Sequence, residues 1–167
     1  MRTLNAVPLT HEAFAPYGDL LGGELANGVL INGGTSERLP LADPDLAQGG
    51  GHATLNLYRA TARPLPFVAI ELERHRLGSQ SFIPLAGVPF VVIVALGDPA
   101  QDDGAPREDT VAAFWVSGSC GVTFRPGTWH HPLLAQLQGD FVVLERKGEG
   151  ADCEVYTLNT PLKVILA

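Results

Sequence analysis

The side chains best suited to chemistry in this chain are its histidines, because imidazole transfers protons near neutral pH and binds metals. Of the five histidines, His75, His130 and His131 fall where a site could form. His11 lies in a predicted helical turn and His52 follows a run of glycines, so we expect both to be solvated. The candidate chemistry is therefore proton transfer or metal binding at two well-separated segments of the chain.

Each of these segments places its polar side chains beside a turn. In the first, Glu73 and His75 are two residues apart and share one face of a strand, and Gln80 follows a glycine turn. In the second, His130 and His131 are adjacent. Because neighbouring residues of a strand point to opposite faces, only one of that pair can point inward as a ligand or base.

Two arginines occupy unusual places for a charge. Arg59 shares a strand face with two leucines, and Arg146 ends an apolar strand. Either guanidinium could bind a substrate carboxylate through two parallel N–H groups, or could form a structural salt bridge. Only 17% of the residues are charged, and this low content singles out these two arginines as candidate carboxylate-binding groups.

Short strands separated by turns must position these residues. The 167 residues include 19 Gly and 13 Pro, which interrupt helices and separate strands. Strands are predicted at Val29–Asn32, Thr54–Ala60, Phe67–Arg74, Gln80–Leu85, Phe90–Leu96, Ala112–Ser117, Gly121–Arg125, Pro132–Gln138, Phe141–Arg146 and Cys153–Leu158. Thr10 is predicted to cap a helical turn, and the apolar run Phe141–Leu144 predicts a strand buried on both faces. This pattern is typical of an all-β, mainly antiparallel sandwich or barrel with one or two short helices, in a single domain spanning residues 1–167.

Composition and charge exclude several classes of partner. With 11 Lys+Arg against 18 Asp+Glu, the net charge is −7, which disfavours nucleic acid binding. The longest apolar stretch, Val88–Leu96, is too short to cross a membrane, and the N-terminal residues do not resemble a signal peptide. The two cysteines, Cys120 and Cys153, are expected to be buried thiols in a reducing cytoplasm. We therefore expect a small molecule as the partner.

The two histidine segments together resemble the two halves of a cupin signature. The first-half positions hold Glu73, His75, Gln80 and Gly87, and the second-half positions hold Arg125, Gly127 and His130. The resemblance implies a cupin-like double-stranded β-helix barrel whose mouth brings both segments together. His75, Gln80 and His130 could then hold a divalent metal with positions left open for substrate. Because a neutral amide is a weaker ligand than a carboxylate, a site without metal stays open as an alternative.

Longer motifs resemble the ureidoglycolate lyase family. They are Asn-x-Gly-x-x-x-Arg at residues 32–38, Leu-Gly-Ser-Gln-x-Phe-Ile-Pro at residues 77–84 and Gly-Thr-Trp-His-His-Pro at residues 127–132. The resemblance extends in the expected order over residues 9–158. One departure is Phe124-Arg125, where the family has Tyr-His. The resemblance implies a homodimer that cleaves ureidoglycolate into glyoxylate and urea, with nickel as the associated metal and no organic cofactor.

The implied reaction gives each candidate residue a role. A base must remove the hydroxyl proton, the departing urea nitrogen must gain a proton, and a cation must hold the carboxylate. We expect His130 to act as base or ligand, with His75 and Gln80 completing the set. The residues expected to bind substrate are Ser79 and Asn32 for the urea group, and Arg38, Arg59 or Arg146 for the carboxylate. Two alternatives are a cupin isomerase or decarboxylase acting on another hydroxy acid, and a non-catalytic cupin that binds a small carboxylate.

Overall fold

The computed structural model describes residues 1–100 and 104–167. Its elements are β1 (Arg2–Pro8), α1 (His11–Phe14), β2 (Gly18–Leu21), β3 (Val29–Ile31), β4 (Ser36–Arg38), β5 (His52–Ala60), β6 (Phe67–Arg74), β7 (Gln80–Pro84), β8 (Phe90–Ala95), β9 (Ala112–Val116), β10 (Gly121–Phe124), β11 (Trp129–His130), β12 (Leu134–Ala135), β13 (Gly139–Lys147) and β14 (Glu154–Leu166). Short 3-10 turns lie at Asn32–Gly34, Gln48–Gly50 and Glu108–Thr110. Among the described residues, no helix has the length and apolar character of a membrane span.

One sheet closes on itself and is called the closed sheet below. Its strands follow the order β11-β6-β14-β1-β9-β8, and β11 also pairs with β8, which completes the ring. Strand β12 adds to β8 in antiparallel orientation. Strand β1 runs parallel to both β14 and β9, whereas β6 with β14 and β8 with β9 are antiparallel. The short strand β11 therefore joins two strands that are distant in sequence.

A second sheet, called the open sheet, has the order β2-β10-β7-β13-β5, with antiparallel neighbours throughout. Strand β5 forms one edge and pairs with β13 over its whole length, from Ala60 opposite Gly139 to His52 opposite Lys147. Strands β3 and β4 form a separate antiparallel hairpin. The first histidine segment lies between β6 of the closed sheet and β7 of the open sheet.

The core explains why the two sheets stay together. Strand β8 is buried on both faces, and its side chains alternate between two apolar clusters, as a strand requires. Phe90, Val92 and Val94 pack with residues of the open sheet, whereas Val91 and Ile93 pack inside the closed sheet. The β-branched side chains of this strand suit a position that is packed from both sides.

The helical turn α1 begins as the sequence predicts. Thr10 is extended, and its Oγ1 accepts a hydrogen bond from the backbone N of Ala13 at 3.2 Å. This cap satisfies one of the N–H groups that a helix start leaves free. The turn places Phe14 in the core, with its ring centroid 6.1 Å from that of Phe124. The N-terminal segment therefore supports one of the aromatic rings that lie beside the candidate site.

The predicted fold class is confirmed: the chain is all-β and mainly antiparallel, with a closed, cupin-like barrel and little helix. Two finer expectations are wrong. On β13, Phe141 and Val143 are fully buried, but Val142 and Leu144 are only half-buried, because the outer face of the open sheet is partly exposed. Cys153 is exposed, because it lies in the loop before β14.

Candidate active site

The candidate site lies where the two sheets face each other, and each sheet contributes one directly opposed pair of residues. In the closed sheet, His130 of β11 is in register with Glu73 of β6. In the open sheet, Gln80 of β7 is in register with Glu145 of β13. Gln80 joins the two pairs, because its Oε1 lies 3.1 Å from His130 Nε2 and its Nε2 donates to Glu145 Oε2 at 2.9 Å.

Three side chains of the closed-sheet half form a cluster that could hold a metal ion. One ligand atom from each of Glu73, His75 and His130 lies within 4.8 Å of the other two. His130 Nε2 is 3.6 Å from Glu73 Oε1. An imidazole pair with a carboxylate is a donor set that suits zinc, nickel and similar divalent ions.

Hydrogen bonds to the backbone decide which histidine nitrogens are available. His75 Nδ1 lies 2.8 Å from the carbonyl oxygen of Asp152, and His130 Nδ1 lies 3.0 Å from that of Thr128. A carbonyl oxygen can only accept, so each Nδ1 carries the proton in the neutral ring and each Nε2 presents a lone pair.

These lone pairs lack ordinary donors among the described residues. His75 Nε2 is buried with no hydrogen-bond partner, and His130 Nε2 faces the carbonyl oxygen of the Gln80 amide. An unpartnered buried nitrogen is costly, and a cation between these groups would satisfy all of them. Backbone carbonyls that orient metal-binding histidines are common in metalloproteins. The residues present therefore fit a divalent metal, with Gln80 Oε1 as a fourth ligand.

Burial controls the charge of the cluster. His130 is almost completely enclosed, and its ring stacks on Phe124 with centroids 4.3 Å apart and planes at 14°. This burial lowers the pKa of His130 to about 3, so at neutral pH the ring is uncharged and forms no ion pair with Glu73. Burial also raises the pKa of Glu73 from its ordinary value, an effect that the neighbouring His75 partly opposes.

Glu145 forms the centre of the open-sheet half. Besides Gln80, its carboxylate accepts hydrogen bonds from Asn56 Nδ2 at 2.9 Å and from the Tyr58 hydroxyl at 3.1 Å. Burial, followed by the charge of Glu145, raises the pKa of Tyr58 to about 12, so the phenol keeps its proton. These contacts hold the Glu145 carboxylate in one orientation at the inner face of β13.

Two recesses meet at this cluster. The larger, of about 560 Å³, is lined by Tyr58, Arg59, Ala60, Thr61, Arg63, Glu73, His75, Gln80, Phe82, Pro132, Leu133 and Glu145. The smaller, of about 230 Å³, has Ser79, Arg146 and Asp152 among its lining residues and shares His75, Gln80 and Glu145 with the larger one. A small polar substrate in the larger recess would therefore contact both halves of the site.

Comparison with known proteins identifies the family. A family model described as ureidoglycolate lyase matches residues 1–165. The chain belongs to the ureidoglycolate lyase family. It is 41% identical over 170 residues to a protein named ureidoglycolate lyase from Pseudomonas fluorescens (strain SBW25), covering 100% of this chain and 98% of that protein. A protein of the same name from Burkholderia mallei (strain NCTC 10229) is 45% identical over 152 residues, covering 90% of this chain and 86% of that protein.

The structure brings together three of the residues predicted from the sequence: His75, Gln80 and His130. Ser79 lies in the smaller recess, but its hydroxyl accepts a hydrogen bond from the backbone N of Asp45 at 2.9 Å, and its own N donates to the Asp45 carbonyl at 2.8 Å. In this structure Ser79 therefore holds the loop that contains Asp45 through two hydrogen bonds. Its predicted contact with the urea group stays a prediction.

The arginines predicted to hold the carboxylate have other partners here. Arg59 lines the larger recess but forms two hydrogen bonds, of 3.0 and 3.1 Å, with Asp140, the residue opposite it on β13. Arg146 lines the smaller recess and donates to the carbonyls of Gln48 and Gly49. Both guanidinium groups therefore contact the open sheet and its loops in this structure, and their predicted contacts with the substrate carboxylate stay predictions.

Two further predicted residues of the lyase-family motif, Asn32 and Arg38, are not brought to the cluster within this chain. Both are exposed and belong to the turn and second strand of the β3–β4 hairpin, and neither lines the two recesses. The hairpin pairs only with itself among the described strands. Their roles in substrate binding stay predictions.

The neighbouring aromatic and histidine residues have structural surroundings. His131 points away from the cluster, with Nδ1 2.7 Å from the carbonyl oxygen of Pro132 and its ring edge-on to Phe67. At the family departure, Phe124 stacks on His130, whereas Arg125 turns outward toward Asp19 at 3.6 Å. The Phe124 ring thus supplies packing for the cluster without a hydroxyl group.

Three residues of the site lie outside the motifs recognised in the sequence: Glu145, Tyr58 and Asn56. A usable signal was present: each is polar and alternates with leucine or valine along an apolar strand. Their pairing depends on β5 and β13 lying side by side, although Tyr58 and Glu145 are 87 residues apart in sequence. A local pattern cannot supply that register.

Proposed function

We propose that this chain cleaves ureidoglycolate to glyoxylate and urea, a carbon–nitrogen lyase step in allantoin (purine) breakdown, within a single domain spanning residues 1–167. The match to the ureidoglycolate lyase family over almost the whole chain carries this proposal. It is supported by the cluster of Glu73, His75 and His130, which lies next to Gln80 and Glu145 beside a recess of small-molecule size. The two alternatives, another cupin substrate or a non-catalytic binder, are not favoured, because the compared full-length relatives are named for this lyase.

The reaction requires one proton to move as the carbon–nitrogen bond breaks. The hydroxyl of ureidoglycolate loses its proton, a C=O double bond forms, and the bonding electrons leave with the urea nitrogen, which takes up a proton. Glu145 is the carboxylate beside the metal-binding cluster that is not part of it. We assign its Oε atoms to accept the hydroxyl proton and return it to the nitrogen. The Tyr58 hydroxyl and the Gln80 amide keep that carboxylate in place.

The proposed metal would be held by Glu73, His75 and His130, with Gln80 beside them. Nickel is the metal that the family resemblance implies. A divalent ion bound there supplies positive charge for the oxygen atoms of the substrate. His130 then acts as a ligand, because the low pKa that its burial produces makes the neutral ring a weak base. His75, whose free Nε2 is buried, is the second imidazole ligand.

A urea-release assay tests the function directly. Purified protein is stripped of metal, mixed with racemic ureidoglycolate, and assayed for urea and glyoxylate before and after addition of nickel, manganese or zinc. We expect equal amounts of the two products and the highest rate with nickel. Failure to release urea with any metal would overturn the lyase proposal. Full activity in the stripped protein would overturn the proposal that a bound metal takes part in the reaction.

We also propose that two copies form a homodimer through the outer face of the open sheet, in the cytoplasm. Leu55 and Leu57 are 70% and 53% exposed, and their register partners Leu144 and Val142 lie on the same face. Adjacent exposed apolar residues favour a protein interface. The cytoplasmic location is supported by Cys120 and Cys153, both free thiols.

Sedimentation velocity on matched variants tests the dimer. Leu55→Glu should produce monomers, because it places a charge in the proposed interface. Leu30→Glu serves as control, since Leu30 is also 70% exposed but lies on the β3–β4 hairpin. A dimer that survives Leu55→Glu and dissociates with Leu30→Glu would assign the interface to the hairpin instead.

A further inference from the structure

We infer that Arg63, a residue that the sequence motifs do not mark, binds the carboxylate of the substrate. This inference rests on the proposed function and names the group that recognises one end of the substrate. Arg63 lines the larger recess together with Glu73, His75 and Gln80. It lies in the connection between β5 and β6, at the rim of the recess.

The backbone around Arg63 is held in place although the side chain is exposed. Its N donates to the Ala135 carbonyl at 2.8 Å. The buried Gln136 side chain donates to the Arg63 carbonyl at 3.3 Å and accepts from the backbone N of Leu65 at 3.0 Å. These bonds fasten the connection to the segment after β12, so the arginine starts from a fixed position at the recess.

The guanidinium group of Arg63 is oriented and has no acidic partner among the described residues. Its Cζ lies 4.5 Å from the centre of the Phe67 ring. Stacking on an aromatic ring engages the face of a guanidinium and leaves the N–H groups at its edge free to donate. Phe67 is itself fixed against the His131 ring, with centroids 5.1 Å apart.

Charge in the recess distinguishes Arg63 from the other arginine at its rim. The polar wall contains two carboxylates, Glu73 and Glu145, so an anionic substrate needs a cation to bind there. Arg59 also lines the recess, but both of its hydrogen bonds go to Asp140, which offsets its charge. Of the two arginines at the rim, Arg63 is therefore the one whose guanidinium is not already paired with a carboxylate.

A guanidinium edge matches a carboxylate through two parallel N–H···O bonds. With the substrate carboxylate on Arg63, the urea end is available to Gln80, Glu145 and Tyr58, which line the same recess and offer both donors and acceptors. The hydroxyl-bearing carbon then lies between them. The recess in this way distinguishes the two ends of ureidoglycolate, and it would select against analogues in which the carboxylate is replaced by an uncharged amide.

Kinetics of Arg63→Gln, Arg63→Lys and Arg59→Gln, measured on the metal-loaded protein, test this role. We expect Arg63→Gln to raise KM about 10- to 100-fold, the range for loss of a charged hydrogen-bonded contact, with a smaller change in kcat. Arg63→Lys should recover part of the loss, and Arg59→Gln, which removes the other arginine at the rim, should raise KM less than Arg63→Gln does. Thermal unfolding confirms that each variant is folded. An unchanged KM in Arg63→Gln, or a rise confined to Arg59→Gln, would overturn the inference.

Ligand binding separates this inference from the proposed function. Calorimetry with glycolate and with glycolamide, its uncharged counterpart, measures the preference for a carboxylate without any reaction. We expect the original protein to prefer glycolate and Arg63→Gln to lose that preference, even if no urea release is observed. If urea is released but the preference for glycolate persists in Arg63→Gln, the function stands and the role of Arg63 does not.

Discussion

The two cluster histidines differ in how the protein holds them. His130 is stacked on Phe124 and only 1% exposed, so its imidazole is part of the core as well as of the cluster. His75 is half-buried and is fixed mainly by the bond from Nδ1 to the Asp152 carbonyl. A change at His130 can therefore act through packing or through chemistry, and an informative experiment must separate the two effects.

Comparison of His130→Asn with His131→Asn makes that separation. Both side chains are buried, adjacent in sequence and uncharged at neutral pH, because burial lowers the pKa of each. We expect both variants to lose stability. Only His130→Asn should reduce urea release at least about tenfold, because it removes a proposed metal ligand, and even the residues that only support a metal site typically contribute about 10- to 100-fold. Equal activities per folded molecule in the two variants would remove His130 from the mechanism.

Gln80 is the second residue whose chemistry can be tested directly. Its amide donates to Glu145 Oε2 and presents Oε1 to His130. Gln80→Glu removes the donor and places two carboxylates side by side, which should lower the melting temperature without metal. Because a carboxylate is a stronger ligand for divalent ions, nickel should raise the melting temperature of this variant more than that of the original protein.

Gln136→Glu provides the control for that measurement. Gln136 is also a buried amide that bonds to neighbouring groups, but these are backbone atoms outside the cluster. Its replacement should lower the melting temperature in the same way, and nickel should not restore it beyond the shift of the original protein. A nickel-induced shift of the same size in the Gln80 and Gln136 variants would contradict the placement of Gln80 beside a metal.

At the scale of elements, local patterns predicted most strands, and most of the missed ones pair with strands that are distant in sequence. Strands β6, β8 and β9 occur at the predicted positions because their apolar runs are bounded by turn residues. Strands β1, β2, β4 and β11 were not predicted, and the segment of β4 was expected to be a loop. Strand β1 pairs with β14 and β9, β2 pairs with β10, and β11 bridges β6 and β8, so these three strands are ordered by distant partners. The strand that is buried on both faces is β8, which lies between the two apolar clusters, whereas the sequence predicted this burial for β13.

The cap of α1 is an element whose contribution can be measured. Thr10→Ala removes the oxygen that accepts from Ala13 N and should reduce the free energy of unfolding by about 1 kcal/mol. For a chain of this length the melting temperature should fall by roughly 2–4 °C. Thr10→Ser keeps the oxygen and should unfold close to the original temperature. A similar loss in both variants would show that the methyl group, and not the hydrogen bond, is what matters.

At the scale of the whole molecule, the site depends on both sheets. The cupin-like spacing within residues 73–87 and 125–130 predicted His75, Gln80 and His130. Glu145, Tyr58 and Arg63 could not be predicted in this way. Their positions follow from the pairing of β5 with β13 and from the anchoring of the β5–β6 connection on Gln136, which are properties of the assembled fold.

A metal bound at this position would connect the two sheets. Glu73, His75 and His130 belong to the closed-sheet side and Gln80 to the open sheet. Because the unfolded chain does not hold these ligands together, metal binding should stabilise the folded state. At a free nickel concentration about a hundred times Kd, the expected gain is about 2.7 kcal/mol, or roughly 5–10 °C in melting temperature for a chain of this length.

Scanning calorimetry with and without nickel tests this link in matched histidine variants. His75→Asn should abolish the nickel-induced shift, since it removes the buried free Nε2. The double variant His11→Asn and His52→Asn should keep the full shift, because both histidines are exposed and lie outside the cluster. If the shift survives His75→Asn and disappears in the double variant, nickel binds at surface histidines, and the two sheets are held together by their apolar core alone.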